Sequence, residues 1–136
     1  MSKIKIIPCS GIGKVYGLMA REAALTVTGS LSPDTTETVC LAHLVTGSDK
    51  AIAKVKGLSC ITVDGCPKLC AAKSVEAAGG IVRQQFRSVD EMRFHKGVNP
   101  GTGTALTEDG WRITDELAAK VAQSAEGFHR EDESNG

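Results

Sequence analysis

The stretch Asp64-Gly65-Cys66-Pro67-Lys68-Leu69-Cys70 carries the densest chemistry in this chain. Two cysteines four positions apart share one side of a helix start. Proline suits the first helical position, where its missing N–H has no intrahelical partner. The spacing predicts a helix over 66–78, with Cys66 at the cap and Cys70 in the first turn. The positive end of such a helix favours thiolates over thiols. Paired thiolates can hold a metal ion, cycle through a disulfide or act as nucleophiles.

Three further cysteines, Cys9, Cys40 and Cys60, lie outside that stretch. The opening Met-Ser-Lys-Ile-Lys-Ile-Ile-Pro has too short an apolar run for a secretory signal, and no segment reads as a membrane span. The expected location is cytoplasmic, where stable disulfides are rare. Five cysteines then read as metal-binding, redox or buried residues, and the odd number argues against a fully paired disulfide scaffold. The 16 basic side chains are balanced by 16 acidic ones, which gives no sign of nucleic-acid or membrane binding. One Trp, one Tyr and three Phe leave little for a base-stacking surface.

The elements that must position the cysteines follow from the pattern. Residues 3–9, with β-branched Ile4, Ile6 and Ile7 and then Pro8, read as a first strand ending at Cys9. A helix follows through Val15, Leu18, Met19, Ala23 and Val27, with Gly29 as its stop. Residues 30–36 read as loop. A second strand over 37–42 ends near Cys40, although Cys-Leu-Ala-His-Leu also fits a helix. Ser48 can cap a short helix through Ala51, Ile52 and Val55. Residues 58–64 form the third strand. The helix over 66–78 stops at Gly79-Gly80. Residues 81–89 suit a partly exposed edge strand. Residues 90–110 read as a long loop, and Thr114 as the cap of a last helix over 115–126. Residues 1–128 make one domain, and 129–136 a frayed polar tail.

Strands alternating with helices imply right-handed crossovers and a mostly parallel sheet covered by helices. The expected fold is α/β: a single three-layer, Rossmann/flavodoxin-like domain with four strands in the order 2-1-3-4. Ligands in such sheets collect at the carboxyl ends of the strands, where the order reverses. Cys9 ends the first strand, Cys40 lies near the end of the second, and Cys66 and Cys70 follow the third. Neighbouring strands lie roughly 4.8 Å apart, so four sulfurs can converge above the middle of the sheet. Zn2+ in a tetrahedral four-thiolate site, with Zn–S of ~2.3 Å, is the economical occupant. The alternative is that each cysteine is a small buried hydrophobe. Cys60, early in the third strand and near the opposite end of the sheet, is expected to be core.

Three separated motifs, Pro8-Cys9-Ser10-Gly11, Val39-Cys40-Leu41-Ala42 and Asp64-Gly65-Cys66-Pro67-x-x-Cys70-Ala71-x-Lys73, together resemble the DGC-domain family. The family is named for its Asp-Gly-Cys motif, and the likeness spans about residues 4–80. It implies a small zinc-binding protein with Cys9, Cys40, Cys66 and Cys70 as the ligands, and leaves Cys60 outside the motifs. It implies no particular biochemical role. After Ala42 this chain has His43-Leu44-Val45, where a glycine-rich turn is expected in relatives.

Other residues have rival readings. The turn through Ser10, Gly11, Gly13 and Lys14 follows a strand and opens a helix, so its N–H groups could face a small anion. It lacks the Walker pattern, and a tight turn that lets Cys9 approach a metal is the simpler account. His43 could replace Cys40 as a ligand, but reads first as a surface or packing residue. His95 and His129 read as solvated. Lys68 and Lys73 could balance thiolate charge, or be ordinary exposed helix residues. Asp64 could act as acid or base, orient the ligands from behind, or serve the Asp-Gly turn. The loop over 99–104 could close over the site.

The leading functional expectation is a zinc-binding protein with a structural, sensory or metal-handling role. A closed four-thiolate shell leaves no coordination position open for hydrolysis, which argues against an enzyme. The alternatives are a thiol enzyme working through Cys66 and Cys70, and an iron–sulfur protein using the same four cysteines. The C-x3-C spacing weakens the redox version. Protein partners cannot be read from the residues.

Overall fold

The central strands are built from residues that fit burial on both faces of a sheet. In the computed structural model, which describes residues 3–9, 14–39, 41–65 and 69–135, β1 spans Ile4–Pro8 and β3 spans Ser59–Asp64. Ile4, Ile6, Ile7, Ile61 and Val63 are fully buried there, as expected of near-continuous apolar strands in a parallel sheet. β2 (Thr36–Thr38) and β4 (Ile81–Arg87) flank them, and the order is β2-β1-β3-β4 with every pairing parallel. β4 is the partly exposed edge that its mixed pattern predicts.

The connections fix the layers. β1 to β2 steps one way across the sheet, whereas β2 to β3 and β3 to β4 step the other way. Right-handed crossovers therefore put α1 (Val15–Thr26) on one face and α2 (Leu41–Val45), α3 (Asp49–Val55) and α4 (Cys70–Ala77) on the other. α5 (Ser88–Glu91) and α6 (Glu108–Asn135) pack beside α1. The result is the expected three-layer α/β architecture of Rossmann/flavodoxin-like type.

Several boundaries differ from the sequence expectation, each for a local reason. Gly29 does not stop the first helix. A π-helical turn over Val27–Leu31 extends it, closed by the Ser32 N–H to the Val27 carbonyl at 2.8 Å. β2 has only three residues, and α2 begins at Leu41 because Leu41 and Leu44, one turn apart, are both buried. α4 does end as expected: the Gly79 and Gly80 N–H groups close on the Glu76 and Val75 carbonyls at 3.0 and 2.9 Å, with Gly79 at φ +86°.

Ser88 and Val89, expected to close the fourth strand, instead open α5, and the expected loop over 90–110 holds the end of α5, a 3-10 turn over Met92–Phe94 and the start of α6. Thr107, not Thr114, caps α6: its Oγ1 accepts the Gly110 N–H at 3.0 Å. Glu108 and Asp109 follow in the first turn, where the helix dipole favours acids. Gly110 is needed because the Pro100 carbonyl lies where a Cβ would go. Thr114 is buried inside the helix, with its hydroxyl donating to the Gly110 carbonyl at 2.8 Å.

At its other end, α6 does not fray near Glu126 but continues to Asn135. Arg83 on β4 pairs with Asp132 at 2.9 Å and with Glu131 at 2.5 Å, and stacks over the Phe128 ring. Asp132 also accepts from the Ser59 hydroxyl at 2.7 Å, which ties α6 to the first residue of β3.

One ion pair crosses between β1 and β2. Lys5 is 7% exposed and its Nζ donates to Glu37 Oε1 at 2.7 Å. That hydrogen bond, against the opposing effect of burial, holds the Glu37 carboxyl below its ordinary value. A depressed carboxyl stabilises the fold above the ordinary 4.5 and loses that contribution as pH falls through its lowered value. Glu37→Gln should therefore lower stability at neutral pH by about 1 kcal/mol, a modest figure because Glu37 is partly solvated. In denaturation curves across pH, the gap to the parent protein should close in acid. A gap of equal size at about pH 3, below the carboxylate range, would contradict the pairing.

Candidate metal centre

The described part of the site is organised by two consecutive residues at the end of β3. Asp64 is 1% exposed. Its Oδ1 accepts the Ala71 N–H at 2.8 Å and its Oδ2 the Ala72 N–H at 3.4 Å. These are donors of the first turn of α4, which have no intrahelical acceptor. Burial pushes the Asp64 carboxyl up, and the two N–H groups pull it part of the way back. Asp64 thus caps α4 from outside the helix.

That arrangement corrects the expected helix start. The cap position belongs to Leu69 and the first helical residue is Cys70, so α4 starts later than residue 66. Leu69 sits in the left-handed region at φ 56°, ψ 43°, uncommon for a residue with a branched apolar side chain. A chain in that conformation cannot run straight into the helix, and Leu69 has no polar side chain to cap it. The distant Asp64 carboxylate does so.

Gly65 supplies the second half of the clamp. Its N–H donates to Cys9 Sγ at 3.0 Å. Cys9 itself continues the β1–β3 ladder, with its N–H on the Val63 carbonyl at 2.9 Å. Gly65 also lies against the first turn of α1. A Cβ there would come within 2.7 Å of Gly17 N and 2.9 Å of the Tyr16 carbonyl carbon. The same turn is held from the other side, where the Ser88 hydroxyl donates to the Tyr16 carbonyl at 2.6 Å.

The structure thus joins Cys9 and Cys70 through Asp64-Gly65: one sulfur accepts from Gly65, and the other residue opens the helix that Asp64 caps. Cys9 is buried and Cys70 is exposed. Cys40 and Cys66, the other two expected ligands, lie outside the described residues, as do Ser10, Gly11, Gly13 and Lys68. Among the described residues no three His, Cys, Asp or Glu side chains are grouped to hold a metal ion. A thiolate at Cys9 receiving a backbone N–H is nevertheless well suited to ligation, because hydrogen bonds to the sulfur stabilise its charge.

The remaining candidates separate clearly. Lys14 is exposed at the extended cap position of α1. Lys73 is exposed on α4 and borders a groove of about 330 Å³ with Leu44, Val45 and Ile52. His43 is exposed on α2 and shares a different cleft with Lys50 and Lys54, whose charges would repel a cation. His95 is not simply solvated: its Nε2 lies 2.5 Å from a Glu116 carboxylate oxygen. His129 is paired with Glu133 at 3.5 Å. The loop over 99–104 folds onto itself and the start of α6, through Thr102 N–H to the Ala105 carbonyl and Thr107 N–H to the Pro100 carbonyl.

Cys60 lies second in β3, paired with Lys5 and Val82 and fully buried. Burial pushes its thiol up to about 11, so it stays protonated at neutral pH. The external cap by Asp64 was not legible as such in the sequence, because the N–H donors it accepts from lie seven and eight residues ahead. The left-handed Leu69 carried no signal either. The close approach of Gly65 to Gly17 is visible only as two glycines in separate segments.

These features define an α/β domain with cysteine-bearing chain segments at the carboxyl edge of its sheet. Over residues 5–124 the chain matches the DGC domain model, and it belongs to that family. Membership fits a metal-binding protein. Comparison with curated proteins found no match, and comparison with solved structures found none.

The clamp has a direct test in the metal-free protein. Asp64→Ala should cost about 1–2 kcal/mol in urea denaturation, the usual range for a lost helix cap, and Asp64→Asn less, since its amide oxygen still accepts. Gly65→Ala should destabilise as well, by forcing β3 away from Tyr16 and Gly17. Parent-like stability of both alanine variants would show that the clamp does not hold this edge.

Proposed function

We propose that the protein binds one Zn2+ through the thiolates of Cys9, Cys40, Cys66 and Cys70 at the carboxyl edge of the sheet. The observation that carries this reading is the Gly65 N–H donated to Cys9 Sγ beside the Asp64 cap of α4. A backbone donor aimed at a buried sulfur favours the charged form that a metal requires. Membership in the DGC domain family supports the same choice.

Zinc in a closed thiolate shell would tie strand ends and a helix start together and supply no open position for substrate. The role is accordingly structural, sensory or metal-handling rather than hydrolytic. Four reduced thiolates require a reducing compartment, and the cytoplasm supplies one. Among the described residues no helix is long and apolar enough to cross a membrane.

Anaerobic purification with metal and thiol counting tests the reading. The expected protein is colourless and carries one zinc per chain. Changing Cys9, Cys40, Cys66 or Cys70 to Ser should each reduce the bound zinc, while Cys60→Ser should leave it intact. Removing zinc should expose Cys70 to rapid alkylation, with Cys60 last to react because it is buried and protonated. A brown, iron-containing protein would replace zinc by an iron–sulfur cluster. A metal-free protein with fast-reacting Cys66 and Cys70 would favour thiol chemistry.

A further inference from the structure

A cleft of about 450 Å³ lies between the end of β2 and the start of α3. Its apolar lining comes from Val39 and Ala51, 4% and 5% exposed. Two hydroxyl residues, Thr38 and Ser48, and the His43 imidazole also line it. Lys50 and Lys54 complete the lining.

Those two lysines are four positions apart on α3, so they occupy one face of the helix and repel each other. Among the described residues neither makes a hydrogen bond or a salt bridge, and no carboxylate lines the cleft. The nearby Glu37 feels Lys54, but its carboxylate is committed to Lys5 at 2.7 Å. Asp49, the first residue of α3, is not among the residues that line the cleft. Here two cations, an imidazole and two hydroxyls surround a small apolar surface, a combination suited to an anionic head on a compact apolar body.

We propose that this cleft binds a small organic oxyanion, with Lys50 and Lys54 engaging its phosphate or carboxylate and Val39 and Ala51 its apolar part. No cysteine is among the described residues that line the cleft. In sequence, one lining residue, Val39, directly precedes Cys40.

The test is an NMR titration of the full chain, both metal-free and zinc-loaded, with phenyl phosphate, inorganic phosphate and benzoate at fixed ionic strength. Phenyl phosphate should give saturable shifts at the Val39 and Ala51 methyls and the His43 ring, and should bind more tightly than inorganic phosphate. The comparison with benzoate identifies which oxyanion the cleft prefers. The double variant Lys50→Gln/Lys54→Gln should weaken binding by at least about tenfold, the loss expected for removing charge-assisted hydrogen bonds. Lys96→Gln, an exposed lysine elsewhere, should leave it unchanged. Shifts that never saturate, that spread over unrelated surface residues, or that persist in the double variant would overturn the proposal. Saturation in the metal-free protein would support it even if the zinc assignment failed.

Discussion

The carboxyl edge of this sheet depends on one buried acid meeting one helix start. An α-helix begins with N–H groups that have no partner, and α4 begins at a left-handed leucine that cannot provide one. Asp64 is buried, so its carboxylate would be costly without donors. Each defect is met by the other: the Ala71 and Ala72 N–H groups compensate the carboxylate, and the carboxylate satisfies the helix. The direction of α4, and with it the position of Cys70, follows from that exchange. Gly65, the next residue, extends the same constraint to Cys9 through its N–H and to α1 through its missing side chain.

The two edges of the sheet are held differently. At the amino edge, Arg83, Ser59, Asp132 and Phe128 fasten the last turns of α6 to β3 and β4. The 28-residue α6 then runs back along α1, with Leu117, Val121 and Ala125 in the core. At the carboxyl edge, the Asp64-Gly65 clamp joins the end of β3 to the first turns of α4 and α1. An ion that crosslinks neighbouring segments at that edge would add to the clamp.

Much of this was legible in the sequence, and the exceptions have physical causes. The strand order and the burial of β1 and β3 followed from β-branched runs and alternating helices, because binary pattern and crossover handedness leave few topologies. The exposed β4 followed from its polar residues. Both ends of α6 extend past the sequence expectation for the same reason, partners that the local pattern does not show. Gly110 looked like a loop residue because its packing partner, Pro100, is remote in pattern though close in space. Residues from His129 onward looked unfolded because their partners, Arg83 and Ser59, lie in other elements. Cysteine spacing and strand ends pointed to the carboxyl edge, where the structure places Cys9 beside Gly65 and Cys70 at the start of α4. The sequence could not show that Asp64 caps the helix or that Leu69 adopts a left-handed conformation. Both are tertiary outcomes, imposed by where β3 delivers the chain.

The most direct measurement is X-ray absorption at the metal edge of the protein purified without added metal. A zinc edge with four sulfur neighbours at ~2.3 Å is the predicted result. A zinc shell containing nitrogen or oxygen ligands, or no stoichiometric metal at all, would contradict ligation by Cys9, Cys40, Cys66 and Cys70.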